Sequence, residues 1–278
     1  MSTQAPTTEQ IRDAWDAIAT GFDEFVTPKS IRFGEEALRR VDLRPGQRFL
    51  DVAAGTGALS IPAARLGAQV VATDIAPTMI ERLRARAQGD GLSNLEGVVM
   101  DGEALDLDDD TFDVSASQNG VSLFPDLKAG LNELVRVTRP GGRVLIVAFG
   151  PPQKAEFLTF FMGAMRVAVP GFTPPPMDPP PLPFQLADHT TLHRKLVEAG
   201  LVEVEVESVT WEMPFESAAH FWDIVTSSNP IGAQLTANLT DEQIAAVQQV
   251  LDGMLRDRSG GEPGAVLHTE TNIGLGTK

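Results

Sequence analysis

The chain has 278 residues, 42% of them apolar, and a formal net charge of -16. At roughly 150 residues per domain this length gives one large domain, or one with a sizeable insertion, able to bury a core without staples. The absence of cysteine excludes disulfides, thiolate metal ligands and a thiol nucleophile, and the acidic excess argues against a nucleic-acid surface, which needs basic residues to face phosphates.

The N-terminal Met1-Ser2-Thr3-Gln4-Ala5-Pro6 is polar and has no basic stretch leading into an apolar one, so no secretory signal is expected. No apolar run approaches the roughly 18 residues of a membrane span, and the expected location is the cytoplasm. Residues 8–40 read as two short helices, with Ile11, Trp15, Ile18 and Ala19 on one face and Phe22, Phe25 and Phe33 following. Residues 1–44 are taken as an N-terminal helical cap segment, and residues 45–278 as the main domain.

Arg48 to Ala53 is a short apolar strand running into glycines, and Ala58 to Leu66 is a helix stopped at Gly67. Gln69 to Asp74 is a buried strand. Pro77 to Gln88 is a helix with proline in its first turn, and its Arg82, Arg84 and Arg86 read as a solvated face. Leu95 to Met100 and Phe112 to Ser117 are strands, and Asp126 to Thr138 is a helix. Pro140-Gly141-Gly142 is a turn before the strand Arg143 to Phe149. This alternation predicts an α/β fold, a parallel sheet with helices on both faces.

Residues 150–188 break the rhythm. Glu156 to Val169 is an apolar helix, and prolines at 170, 174, 175, 176, 179, 180, 181 and 183 make the following stretch a stiff extended connector, read as a lid. Thr190 to Ala199 is helical. Val202 to Glu207 alternates at period two, a strand with one wet face near a sheet edge. Residues 215–258 are helical with a break near Asn229-Pro230, and Ala265 to Lys278 is a final strand. Two insertions, 150–188 and 215–258, thus form a helical and proline-rich lid.

The densest chemical signal is Asp51-Val52-Ala53-Ala54-Gly55-Thr56-Gly57. Glycines at the carboxyl end of a first strand let a ligand approach the backbone. A dinucleotide and a nucleoside with an amino-acid tail both fit. Two details separate them. The dinucleotide pattern wants Gly or Ala where Ser60 stands, and Asp51 inside the strand opposes a pyrophosphate but suits a ligand carrying an ammonium and a sulfonium. Asp74 ends the second strand, where a carboxylate accepts from ribose hydroxyls. Asp101-Gly102 follows the third strand, where an Asp can accept from an adenine amine or simply make a turn.

The succession D-V-A-A-G-T-G, V-V-A-T-D-I, V-M-D-G, F-D-V and R-P-G-G-R-V-L-I resembles class I S-adenosylmethionine-dependent methyltransferases, most nearly the small-molecule branch of ubiquinone and menaquinone biosynthesis. The likeness covers about residues 45–150 and continues more weakly through 202–212 and 265–278. It implies a Rossmann-like three-layer sandwich with a seven-stranded, mostly parallel sheet of order 3-2-1-4-5-7-6. It also implies that S-adenosylmethionine lies against Asp51, Gly55 and Gly57 with its methionine part and against Asp74 and Ile75 with its ribose, with Ala53, Thr56 and Met79 among the other cofactor-binding residues. Asp101 and Gly102 would meet the adenine, and Gln118 and Asn119 the loop beside cofactor and substrate. Many relatives begin with an aromatic-rich Tyr-Asp segment. This chain has no tyrosine, and Trp15-Asp16 or Gly21-Phe22-Asp23 stand in that place.

Methyl transfer is an in-line displacement that needs mainly positioning and exclusion of water, with a general base optional. His189 and His220, each bordering a lid segment, are the candidate bases. Phe157, Phe160, Phe161, Met162 and Met165 fit a hydrophobic acceptor pocket or ordinary helix packing. Asp106, Asp108, Asp109 and Asp110 suit a solvated loop better than a metal site, so no metal is expected. The expected partner is a small, largely apolar methyl acceptor, with the chain a monomer or homodimer. An NAD(P)-dependent oxidoreductase and a non-catalytic cofactor-binding protein on the same fold are the alternatives.

Overall fold

The computed structural model describes residues 7–177 and 180–278. The polar N-terminal hexapeptide and Pro179 therefore lie outside the described residues. Helix α1 (Thr8–Gly21) begins at a capping box in which Thr7 and Gln10 satisfy each other's backbone N–H groups. It runs through a π-helical turn, Phe22–Val26, directly into α2 (Thr27–Leu38). There follow β1 (Arg48–Val52), α3 (Ser60–Arg65), β2 (Gln69–Asp74), α4 (Pro77–Gly89), β3 (Leu95–Val99), β4 (Phe112–Gln118), α5 (Leu127–Val137) and β5 (Thr138–Phe149). The second half holds α6 (Glu156–Ala168), α7 (His189–Glu198), β6 (Val202–Phe215), α8 (Ala218–Ser227), α9 (Pro230–Thr236), α10 (Asp241–Ser259) and β7 (Ala265–Thr277).

The seven strands form one sheet of order β3-β2-β1-β4-β5-β7-β6, the order the resemblance implied. β1 to β5 are parallel, and β7 runs antiparallel to both β5 and β6. Successive side chains on a strand point to opposite faces, and both faces are covered. Leu50, Val52, Val144 and Ile146 pack with α5 and α7 on one side. Phe49, Val114, Leu145 and Val147 pack with α2 and α3 on the other. A third cluster gathers on the joined ends of β6 and β7, where Phe215 and Leu267 meet Phe161 and Met165 of α6, Phe221 and Trp222 of α8 and Leu251 of α10.

Three local expectations change. The Pro140-Gly141-Gly142 turn lies inside β5 as a bulge: Thr138 pairs with Phe112, the ladder resumes at Arg143 and Val114, and Gly141 has a φ of 74°. β6 runs on past Glu207 to Phe215, as the edge strand on which Pro214 is tolerated. Its coverage switches sides midway. Val204 and Val206 join the cluster beneath α7, whereas Val209 joins the opposite cluster and Trp211 stacks on Phe33 of α2 with ring centroids 4.2 Å apart.

The proline-dense connector carries no regular structure over residues 172–177 and 180–181, then closes in a single turn at Leu182–Phe184. Two amides fasten its end. Gln185 Nε2 donates to the carbonyls of Ser122 and Phe124 at 3.1 and 3.0 Å, and Asn272 Nδ2 donates to those of Leu186 and Ala187 at 3.3 and 2.8 Å. Among the described residues no helix is long and apolar enough to cross a membrane.

Candidate functional site

The carboxyl ends of β1, β2 and β4 meet at one edge of the sheet. Asp51 is only 1% exposed there. Ser60, at the start of α3, donates to its Oδ2 at 2.5 Å, and its Oδ1 is buried without a partner. Burial pushes the carboxyl up to about 7, with the nearby Asp74 charge adding to it and the Ser60 bond opposing it. Ser60, read in the sequence only as a departure from the dinucleotide pattern, thus orients the buried acid.

The chain then turns through three residues with positive φ: Ala53 at 57°, Gly55 at 55° and Gly57 at 100°. A left-handed alanine costs energy and is held only by its surroundings. Asp74 supplies much of the hold. Its Oδ2 accepts from the Gly55 N–H at 2.8 Å and its Oδ1 from the Ala76 N–H at 2.9 Å. Each carboxylate oxygen has two lone pairs, so both retain one for a ligand. Burial raises Asp74 to about 6 against these hydrogen bonds. Ile75 is half-buried beside it, and Met79 is buried with Ala19, Ala76, Trp15 and Phe22.

On the far side of β2, after β3, Asp101 Oδ1 accepts from the Glu103 N–H at 2.9 Å, a side-chain-closed turn. Gly102 has a packing reason: a Cβ there would fall 2.4 Å from the Phe124 ring. On the β4 side, Gln118 Nε2 donates to the Ser30 carbonyl at 3.2 Å, and Asn119 adopts a φ of 57°. Gln118 Oε1 and Asn119 Oδ1 are buried without partners, as is Asp51 Oδ1. Three orphaned acceptors at the ends of adjacent strands favour a ligand that brings donors, such as an ammonium and hydroxyls. They disfavour a pyrophosphate. The donor set therefore fits S-adenosylmethionine.

The N-terminal segment closes over this loop. Trp15 and Phe22 meet edge-on with centroids 5.9 Å apart, and a Cβ on Gly55 would lie 3.3 Å from the Phe22 ring. The hydroxyls of Thr27 and Thr56 are bonded to each other. Asp16 accepts from the Thr78 N–H at 2.8 Å, and Asp23 pairs with Arg86 and Arg82. The arginines of α4 are thus not a merely solvated face: Arg82 and Arg86 carry the cap, and Arg84 donates to the Gly97 carbonyl at 2.8 Å. Phe22 lies in the segment that the resemblance puts in place of the relatives' aromatic one, whereas Thr27 is a site-forming residue that sequence reasoning missed, because its partner Thr56 lies about thirty residues away and no local pattern marks such a pair.

His189 and His220 lie apart. His189 opens α7 on the face of β6, and its Nε2 donates to the Val206 carbonyl at 2.6 Å. His220 lies in α8 between the rings of Phe25 and Phe215. Its Nδ1 accepts the Glu216 N–H at 3.1 Å, and burial holds its imidazole below the ordinary range, with Lys29 acting the same way. Two of the four aspartates before β4 are in ion pairs, Asp109 with Arg136 and Asp110 with Lys278, each at 2.6 Å, and Asp106 and Asp108 are exposed. Among the described residues no three ligand-type side chains are grouped for a metal. Phe161 and Met165 are buried in the third cluster, with Phe157, Phe160 and Met162 partly buried against it.

Residues 50–146 match a family model described as a methyltransferase domain. An uncharacterized protein of Mycobacterium tuberculosis (strain ATCC 25618 / H37Rv) is 46% identical over 105 residues, a match that spans only 38% of this chain and 38% of that relative. A demethylmenaquinone methyltransferase of Corynebacterium kroppenstedtii is 31% identical over 205 residues, covering 71% of this chain and 84% of the relative. Among solved structures, phosphoethanolamine N-methyltransferase 2 of Haemonchus contortus, in complex with S-adenosyl-L-methionine, aligns over 100% of this chain and 61% of its own. Its TM-score is 0.60 at 16% identity, which speaks to the fold alone. These matches do not favour the nicotinamide alternative.

Proposed function

Because the chain belongs to the class I S-adenosylmethionine-dependent methyltransferases of the ubiquinone and menaquinone type, we propose that it methylates an O, C or N atom of a small, largely apolar molecule. The observation that carries this reading is the buried Asp51 with one unpartnered oxygen, set beside the Gly55–Gly57 loop that Asp74 clamps. When bound, S-adenosylmethionine supplies a methyl group on a positive sulfur, open to displacement by a nucleophile. Asp51, Ala53, Gly55, Thr56, Gly57, Gln118 and Asn119 would hold its amino-acid end. Asp74, Ile75 and Met79 would hold the ribose, and Asp101 and Gly102 the adenine. Trp15, Phe22 and the lid would exclude water from the reacting atoms, the main demand of this chemistry.

The helices α6, α8 and α10, with Phe and Met on their facing sides, suit an apolar acceptor. The Corynebacterium relative is named for demethylmenaquinone, an acceptor of that kind. His220 borders that cluster, and His189 the base of the proline-rich lid. His189, whose Nε2 donates to Val206 and whose Nδ1 is left free, would serve as base for a nucleophile that needs one, whereas His220 could do so only by giving up the bond from the Glu216 N–H. We place the activity in the cytoplasm, in a monomer or homodimer.

Calorimetric titration with S-adenosylhomocysteine, followed by transfer of labelled methyl groups to a panel of quinols, naphthols and aromatic amines, tests the reading. Asp74→Ala removes both backbone clamps, and its affinity for S-adenosylhomocysteine is expected to fall at least tenfold. A folded sample that binds no S-adenosylhomocysteine refutes the proposal. Binding without turnover against every acceptor favours the non-catalytic alternative.

A further inference from the structure

Two residues after Thr27 bonds the cofactor loop, Lys29 lies half-buried with its ammonium 5.7 Å from the centroid of the Phe215 ring. Among the described residues no carboxylate forms an ion pair with it. Glu216 and Asp223, whose charges act on this corner, are both exposed. His220 shares the corner, with its ring centroid 6.5 Å from that of Phe25 and 6.3 Å from that of Phe215. Because its Nδ1 accepts the Glu216 N–H, the neutral ring carries its proton on Nε2 and offers a donor. Phe25 and Phe215 belong to the same apolar cluster as Phe221 and Trp222. Two unpaired nitrogen donors thus share an aromatic corner about two turns along the helix from the Phe22 contact with Gly55.

We propose that Lys29 and His220 form an anion-selecting end of the acceptor site, which takes an apolar aromatic molecule bearing an ionised oxygen, a phenolate, enolate or carboxylate. The proposal rests on the methyltransferase reading above. Burial already pulls the Lys29 ammonium below the usual lysine range and the His220 imidazole below its own. An anionic oxygen between them relieves both, since an opposite charge nearby favours the protonated forms. A cation left unpaired against aromatic rings discriminates by charge: a neutral acceptor of the same shape leaves the ammonium desolvated and unmatched. Lys29 and His220 are therefore specificity-determining residues.

The test uses the full chain saturated with S-adenosylhomocysteine, and two probes of one shape, 1-naphthoate and the neutral 1-naphthalenemethanol. Naphthoate is expected to bind at least tenfold more tightly. Lys29→Met should reduce that preference to less than twofold, and Lys29→Arg should keep it. As pH falls and His220 takes up its proton, naphthoate affinity should rise in the unaltered chain and stay flat in His220→Gln. S-adenosylhomocysteine binding should be unchanged in all three variants, which shows that each is folded. Naphthoate bound no more tightly than the alcohol, or neither probe bound, overturns the proposal. So does a preference that survives Lys29→Met. Failure of the unaltered chain to bind S-adenosylhomocysteine overturns instead the methyltransferase reading on which it rests.

Discussion

Asp51 and Asp74 keep their protons to about 7 and about 6, well above the ordinary carboxylate value of 3.8. A pKa raised on folding contributes stability that is complete below the unfolded value and lost as pH rises through the folded one. The unliganded protein should therefore lose this contribution between about pH 4 and pH 7. A ligand bringing an ammonium to Asp51 reverses the balance, because the charged carboxylate is then favoured and the proton leaves. Titration with S-adenosylhomocysteine at pH 6, in buffers of differing ionisation enthalpy, should show release of about one proton, fading above about pH 8. Asp51→Asn should abolish most of that release. Identical buffer dependence in the two proteins would remove Asp51 from the ligand site. Asp51 was legible in the sequence as an acid misplaced in an apolar strand. Its partner Ser60 was legible only as an exception to another family's rule, since nothing local says that a serine nine residues on will reach back.

At the scale of elements, the strands and helices of the first half were readable because each strand is a short apolar run ended by turn residues. β6 shows how finely such patterns write tertiary structure. Its apolar residues fall at 202, 204 and 206, then at 209, 211 and 213. The slip of one position at Ser208 moves the apolar side from the α7 face to the α2 face. The first alternation was legible; the slip looked like the end of the strand. That α1 and α2 form a cap was legible through the resemblance, but the pairings that close it over the glycine loop were not, because they are contacts between distant segments. Gly34 is the tightest point of that closure: a Cβ there would stand 2.4 Å from the Ala58 carbonyl oxygen. Helix propensity favours Gly34→Ala by about 1 kcal/mol, but a backbone oxygen cannot swing aside, and overpacking costs typically about 1–3 kcal/mol. The clash wins. Against a fixed backbone oxygen the cost lies in the upper part of that range, about 2–3 kcal/mol, so urea melts should show a net loss of about 1–2 kcal/mol, with weaker S-adenosylhomocysteine binding because α3 carries Ser60. An unchanged or raised melt would mean that α2 is free to shift.

For the whole molecule, 38 acidic residues face only 22 lysines and arginines. Nearly all of the ion pairs are partly exposed, and such pairs contribute little each. The long-range repulsion of the unmatched carboxylates is therefore the larger electrostatic effect, and it is screened within about 10 Å at 0.1 M salt. Raising sodium chloride from about 0.02 to about 0.5 M should stabilise the protein by about 1 kcal/mol, a rise in Tm of about 2–4 °C. A fall in Tm would mean that the surface pairs outweigh the net charge.

The π-helical turn at Phe22–Val26 joins α1 to α2 without a break in the backbone ladder. Such a turn holds one residue more than an α-turn would. Each residue of an α-helix advances the side chains by about 100° around the axis. The extra residue therefore sets the rotational phase of everything before it. Deleting one position between 22 and 26 would wind the segment into a single uninterrupted α-rod and rotate α1 by more than a quarter-circle against α2. Trp15 and Asp16 would swing away from α4, and the aromatic plug would no longer be aimed at Gly55. The two helices are thus geared to one another by a single surplus residue, and the seating of the plug on the cofactor loop is set by residue count as much as by side-chain chemistry.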